Sequence, residues 1–263
     1  MINKIALLID FTGVCQLAME HTALLARQSL SQVTLLHIAA ADQQANDKEI
    51  KNQIREFAQS LENEGIPFAI HVDYGDFFDI IGESVRKQKA DLLIVGTHGI
   101  KGIKANFQSS AILRLMGLID TPALVVQGHS QTPLEGYLNI LIPLVGKVEN
   151  ADLIDPVSRF ASVFKSHVQI LSFFHKENET ERREDTRRIE SGLLAKNVKV
   201  TTHLDETSVY TSNYYRSIIE FADIEEANLI VLAVHESGDS GYFNETDEEN
   251  LLLNRLGTAV LCL

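Results

Sequence analysis

The chain has 263 residues, of which 45% are apolar and only 20 are Gly or Pro, enough to build a core of one large or two small domains and unlike a disordered or collagenous chain. Its formal net charge of −13 and isoelectric point near 5.1 oppose bulk binding to nucleic acid or anionic lipid, although a small local anion site stays compatible with that charge. Cys15 and Cys262 lie at opposite ends beside apolar residues, which fits neither a disulfide framework nor a CxxC metal site.

The first residues, Met1 to Asp10, hold an apolar run of only five before an aspartate. That is too short for a signal peptide or a membrane span, and a soluble cytoplasmic protein is expected. The run Ile5–Ile9 reads as a first strand, and Val14, Leu17, Ala18, His21, Leu24 and Leu25 follow it at helical spacing. Val33–Ile38 reads as a second strand. Lys48–Glu64 reads as a helix stopped by Gly65 and Pro67, and Phe68–Val72 as a third strand. Ile80, Ile81, Ser84 and Val85 mark a helix, Leu92–Val95 a fourth strand, Ile112 to Ile119 a helix, and Ala123–Val126 a fifth strand. Continuous apolar runs, rather than alternating ones, predict strands covered on both faces. Their alternation with helices predicts an α/β fold with a parallel sheet, whose ligands bind at the carboxyl ends of the strands.

The pattern then repeats. Ser31 to Ile38 aligns with Ser166 to Phe173 at an offset of 135, and the same offset brings Ile5-Ala6-Leu7 over Ile140-Leu141-Ile142. His71-Val72-Asp73 aligns with His203-Leu204-Asp205, and Ala90 to Val95 with Ala227 to Leu232. Residues 1–128 and 138–263 are therefore read as two copies of one unit, joined by a polar linker at 129–137.

In the first copy, Asp10-Phe11-Thr12 follows strand one. Gly96-Thr97-His98-Gly99 and Gly102 follow strand four, and Ser109-Ser110 comes nine residues after Gly99. Glycines let backbone approach a ligand, and serines at a helix start add hydroxyls to free amides, so together they suit an anion. A carboxylate at the end of strand one suits a sugar hydroxyl or an exocyclic amine. Lys101 and Lys104 could add charge. The combination fits a nucleotide.

These residues resemble the universal stress protein family, whose signature is Gly, two residues, Gly, nine residues and Gly-Ser or Gly-Thr. Leu35-Leu36-His37-Ile38 at the end of strand two is similar to the family as well, and the duplication looks like its tandem members. The resemblance implies two Rossmann-like domains of the adenine nucleotide alpha hydrolase type, each a five-stranded parallel sheet flanked by helices. It further implies ATP, with or without Mg, in the first. There Asp10, Thr12 and the backbone at Ile38 would hold the adenine and ribose. Gly96, Thr97, His98, Gly99 and Gly102 would wrap the ribose and phosphates, and Ser109 and Ser110 would meet the phosphates. Two positions depart from the family: Ser109 stands for its last glycine, and Leu8 for its proline before the aspartate. The resemblance also implies that the halves pair through their last strands as an intramolecular pseudo-dimer, with a homodimer a further possibility.

In the second copy Asp10 aligns with Val145, and Gly96 and Gly99 with Ala233 and Glu236, so no nucleotide is expected there. His98 recurs as His235, which favours a structural role; His37, His71 and His203 read as satisfied histidines in or beside strands. Glu177–Glu190 reads as a solvated helix face laced with i,i+4 pairs. Glu245–Glu249 reads as the start of the last helix, and Tyr210, Tyr214 and Tyr215 as an inserted loop. No histidines fall at metal-ligand spacing, and no activated nucleophile accompanies the glycines, so at most slow ATP hydrolysis is expected. The loop Phe11-Thr12-Gly13-Val14 also lacks the phosphate-binding glycines of the adenylating pyrophosphatases. Two functions stay open: an ATP-binding regulator of the stress response, or a nucleotide-free module that binds a protein partner or small apolar ligand through the second domain.

Overall fold

The computed structural model describes residues 1–97, 109–145, 151–176, 178–206, 214–233 and 245–263, with the side chains of 109, 110, 151, 152 and 245–247 left aside. The chain divides into two compact units, Ile2–Thr132 and Pro133–Leu263.

In the amino-terminal unit, β1 (Lys4–Leu8), β2 (Gln32–Ala39), β3 (Phe68–Tyr74), β4 (Leu92–Thr97) and β5 (Ala123–Gln127) form a sheet in the order β3-β2-β1-β4-β5. The neighbouring strands are parallel. Ile5 to Leu8 and all of β4 are buried, as their uninterrupted apolar runs require, whereas β3 at the margin is half-covered along most of its length. Helices α1 (Gly13–Ser29), α2 (Asp47–Phe57), α3 (Gln59–Asn63), α4 (Phe77–Gln88) and α5 (Ser109–Met116) connect the strands.

The single helix expected over Lys48–Glu64 is interrupted at Ala58, whose φ of −91° and ψ of 14° leave the helical region. The apolar stripe Ile50, Ile54, Ala58 and Leu61 nevertheless runs on unbroken into the core, because one tightened residue does not rotate it away. A 3-10 helix over Ala41–Asn46 precedes α2 and buries none of its residues, so no periodicity marks it in the sequence.

The carboxy-terminal unit repeats this order with β6 (Asn139–Leu144), β7 (His167–Phe174), β8 (Lys199–Glu206), β9 (Leu229–Leu232) and β10 (Ala259–Cys262), as β8-β7-β6-β9-β10, again parallel. Its helices are α6 (Ala151–Phe164), α7 (Glu179–Ala195), α8 (Tyr214–Ile224) and α9 (Glu245–Leu252).

The duplication extends to individual hydrogen bonds. Ser31 Oγ donates to the Ile2 carbonyl at 2.8 Å, and Ser166 Oγ to the Tyr137 carbonyl at 2.6 Å. The amide of Lys4 donates to Asp91 Oδ2 at 3.0 Å, and that of Asn139 to Asn228 Oδ1 at 2.9 Å. The second pair keeps the acceptor oxygen and drops the charge. Left-handed residues recur in step: Leu30 with Lys165, Gly65 with Asn197, and Lys89 with Glu226, all between φ 49° and 69°. Each follows a helix and turns the chain into the next strand. Side chains tolerate that conformation poorly, so these shared positions mark a shared backbone path.

Gly136 and Tyr137, at the end of the expected linker, are core residues of the second unit. Tyr137 is fully buried, its ring 5.2 Å from that of Phe160 and 5.5 Å from that of Phe164. Tyr214 and Tyr215 open α8 rather than lying in a loop, and Glu245 opens α9 as expected.

Candidate functional site

In a sheet ordered β3-β2-β1-β4-β5, the chain leaves β1 toward one side and returns to β4 on the other. The carboxyl ends of β1 and β4 therefore flank the point where connections diverge, which is where such sheets open a crevice. Asp10 lies two residues beyond β1, and Thr97 is the last residue of β4. Helix α1 begins at Gly13, immediately after the first of these ends. Helix α5 begins at Ser109 and runs back toward the amino end of β5, which puts its start on the carboxyl side of the sheet.

The turn from β1 into α1 is tightly built. Thr12 is the helix N-cap, its Oγ1 accepting from the Cys15 amide at 3.2 Å. The Thr12 hydroxyl proton goes to Asp10 Oδ1 at 2.6 Å, and the Thr12 amide donates to the same oxygen at 3.0 Å. Both bonds thus fall on Oδ1. Asp10 braces the cap from two residues upstream and is not itself the cap.

Phe11 adopts a left-handed φ of 60°, rare for a bulky residue. That conformation turns its ring onto His37 at 5.0 Å and Phe57 at 5.8 Å, both edge-on, while leaving it 37% exposed. The contacts offset a backbone cost of about 1–3 kcal/mol. His37 Nδ1 donates to the Ile9 carbonyl at 2.8 Å, which fixes the tautomer that leaves Nε2 as an acceptor. Burial pulls the His37 pKa below its ordinary value, against the opposing pull of the Ile9 carbonyl and the Asp10 charge. Ile38 follows in β2, partly covered, paired with Asp73. Nothing in the sequence singles out Phe11 or Phe57, because their meeting depends on the unusual backbone at Phe11.

Behind this turn, Cys15 donates its thiol proton to the Leu8 carbonyl at 3.5 Å. Burial pushes its pKa up to about 12, and the Asp10 charge adds to that rise. A thiol so held is a core residue and not a nucleophile.

Gly96 lies within β4, paired with Val126, and a methyl group built on it would come 3.0 Å from the carbonyl carbon and Cγ1 of Val14. Its bare Cα lets the first turn of α1 approach the sheet. Thr97 is fully buried beside Gln127. His98, Gly99 and Gly102 lie outside the described residues, as do Lys101, Lys104 and His235. The structure thus brings Asp10, Thr12, Ile38, Gly96 and Thr97 to one edge of the sheet, with the backbone of Ser109 and Ser110 opening α5.

At the same edge of the second unit, Val145 stands where Asp10 does in the first, and it is buried. Ala233 stands in the place of Gly96 at the end of β9. Among the described residues of the whole chain, no group of three or more His, Cys, Asp or Glu could hold a metal ion, and no helix is long and apolar enough to cross a membrane.

Residues 1–127 match the family model of the universal stress protein family. Among solved structures, a universal stress protein from Archaeoglobus fulgidus DSM 4304 superposes with a TM-score of 0.75 at 14% identity, over 99% of this chain and 97% of that one. A functionally unknown protein from Pseudomonas aeruginosa PAO1 gives 0.67 at 18% identity, over 100% and 92%. The cytoplasmic domain of a prokaryotic cation chloride cotransporter gives 0.55 at 12% identity, over 100% and 95%. Identities this low carry the fold and not the function. No curated protein matches the chain. The first 127 residues thus belong to the universal stress protein family, and the second half repeats their strand order as a further unit of the same fold in tandem.

Proposed function

We propose that the amino-terminal unit binds an adenine nucleotide, ATP, in the crevice between the carboxyl ends of β1 and β4, and that the protein acts as a nucleotide-dependent regulator of the stress response. The observation that carries this reading is the Asp10 carboxylate at the switch point, whose two hydrogen bonds among the described residues both fall on Oδ1. Oδ2 is then the oxygen for a ribose hydroxyl or an adenine amine. Thr12 holds the carboxylate in place, the backbone at Ile38 meets the base, and the exposed Phe11 ring borders it. Gly96 and Thr97 end the strand beside the ribose and phosphates, and His98, Gly99 and Gly102 are assigned to the same ligand groups. The amides at Ser109 and Ser110 supply donors to the phosphate chain, favoured by the α5 dipole. The triphosphate brings its own charge and, where Mg accompanies it, that ion. The unit binds and orients the nucleotide. Val145 leaves the second unit without the matching carboxylate.

One observation favours a nucleotide-free module instead: Thr12 and Gly96 already serve the fold, as N-cap and as the contact for Val14. Titration calorimetry of the full chain with ATP separates the two. Binding in the wild type that is lost in Asp10→Ala combined with Gly99→Val supports the nucleotide reading; no heat at millimolar ATP supports the module.

A further inference from the structure

The acidic and basic residues of α7 read as a solvated face, and most of them are. Arg183 pairs with Glu179 at 2.8 Å and Arg188 with Asp185 at 2.7 Å, on the helix surface. Arg182 departs from this pattern. It begins the buried stripe Arg182, Thr186, Ile189 and Leu193, and only 3% of it is exposed. Its Nε and Nη1 are enclosed and find no hydrogen-bond partner among the described residues. A guanidinium carries five donors and no acceptor, and enclosing it unpaired is among the costliest arrangements a fold can hold.

The surroundings are polar and buried too. Thr186, one turn further along α7, bonds to Ser172 of β7 at 2.8 Å and fixes the helix against that strand. Arg182 therefore lies one turn nearer the carboxyl end of β7, the edge at which sheets of this class take ligands. There the backbone amide of His175, just past β7, donates to Asn178 Oδ1 at 2.7 Å, and the His175 Nε2 meets the Tyr214 hydroxyl at 3.1 Å. His175 and Tyr214 are both buried. The neighbouring carboxylates Glu179 and Asp185 belong to other arginines, and Glu181 is exposed. No carboxylate among the described residues pairs with Arg182.

We propose that the carboxy-terminal unit holds a binding site for a small oxyanion, a carboxylate or phosphate group, at the carboxyl end of β7, with Arg182 as its bidentate anchor and His175 and Tyr214 beside it. An oxyanion with two adjacent oxygens matches the guanidinium fork and removes the unpaired charge. Burial lowers the Arg182 pKa, while the charges of Asp185 and Glu181, and Tyr214, oppose that shift. The site does not depend on the nucleotide reading of the first unit.

The test is a titration of the full chain with inorganic phosphate and, separately, acetate, at ionic strength matched with chloride. The Arg182 side-chain Nε–H resonance, identified by its loss in Arg182→Met, is followed together with the thermal midpoint. The expected result is a saturable shift of that resonance with at least one anion, and a rise in midpoint that Arg182→Met abolishes and Arg182→Lys reduces at least severalfold. Phosphate acting alone identifies a phosphoryl ligand, and acetate acting alone a carboxylate. In anion-free buffer Arg182→Met is expected to be as stable as the wild type or more so, because an apolar chain replaces an unpaired charge. An Nε–H resonance indifferent to both anions overturns the proposal, and either Arg182→Met or Arg182→Lys suffices to identify that resonance, since neither side chain carries a guanidinium. A midpoint rise that survives in Arg182→Met overturns it as well, since phosphate also stabilises proteins by exclusion from their surfaces.

Discussion

His21 provides a prediction whose magnitude follows from its position. It sits in α1 on the face packed against the sheet, 1% exposed, and burial lowers its pKa from 6.5 to about 4. The neutral imidazole is thus the folded form down to about pH 4, whereas the unfolded chain takes up a proton near 6.5. Between those values the unfolded state binds more protons, so folding stability falls as the pH falls. A difference of about 2.5 pKa units at about 1.4 kcal/mol each gives about 3 kcal/mol lost across the window, and about 1 kcal/mol by pH 5.5. Urea unfolding of the wild type and of His21→Leu at pH 7.5, 6.5, 5.5 and 4.5 measures it, since leucine keeps an apolar volume and cannot titrate. The stability difference between the two should be constant above pH 7 and shift toward the variant by about 3 kcal/mol on approaching pH 4. Parallel pH curves would refute the reasoning, as would an NMR titration placing His21 near 6.5 in the folded chain.

Three further outcomes are expected. Cys15 and Cys262 should resist a thiol reagent in the folded protein at pH 8 and both react in urea, because burial raises both thiol pKa values; rapid labelling of either in the native state would contradict their place in the core. Gly136→Ala should destabilise the second unit by about 2–4 kcal/mol, since Gly136 has a φ of +91° and the added methyl would lie 2.1 Å from Phe164 Cδ1; an unchanged urea midpoint would be incompatible with that packing. Thr12→Val should cost about 1 kcal/mol through the lost N-cap and should also weaken ATP binding, as Asp10 loses its brace. Calorimetry and urea unfolding read the two effects separately.

The strands were legible because a parallel sheet covered on both faces demands unbroken apolar runs, and Ile5 to Leu8 and Leu92 to Val95 are such runs. The duplication was legible because the buried positions recur at a nearly constant offset. The break at Ala58 was not, since a single tightened turn leaves the apolar stripe in phase. Arg182 was hidden for a different reason. Composition places arginines in solvent, and only its spacing ahead of Thr186, Ile189 and Leu193 signals the buried stripe. At the site, Asp10 and Thr12 could be picked out as polar residues at a strand end, yet their division of labour could not. Either could cap the helix, and the left-handed Phe11 between them decides that Thr12 does. Gly96 looked like a ligand-loop glycine, and the packing of Val14 against it is a tertiary contact that no local pattern encodes.

Amide chemical shifts of the full chain, recorded as ATP is added, test the nucleotide account most directly. Saturable shifts are expected at Asp10, Thr12, Ile38, Ser109 and Ser110, with Val145 and Ala233 in the second unit unmoved. Shifts centred on Val145 and Ala233, or none anywhere at millimolar ATP, would contradict it.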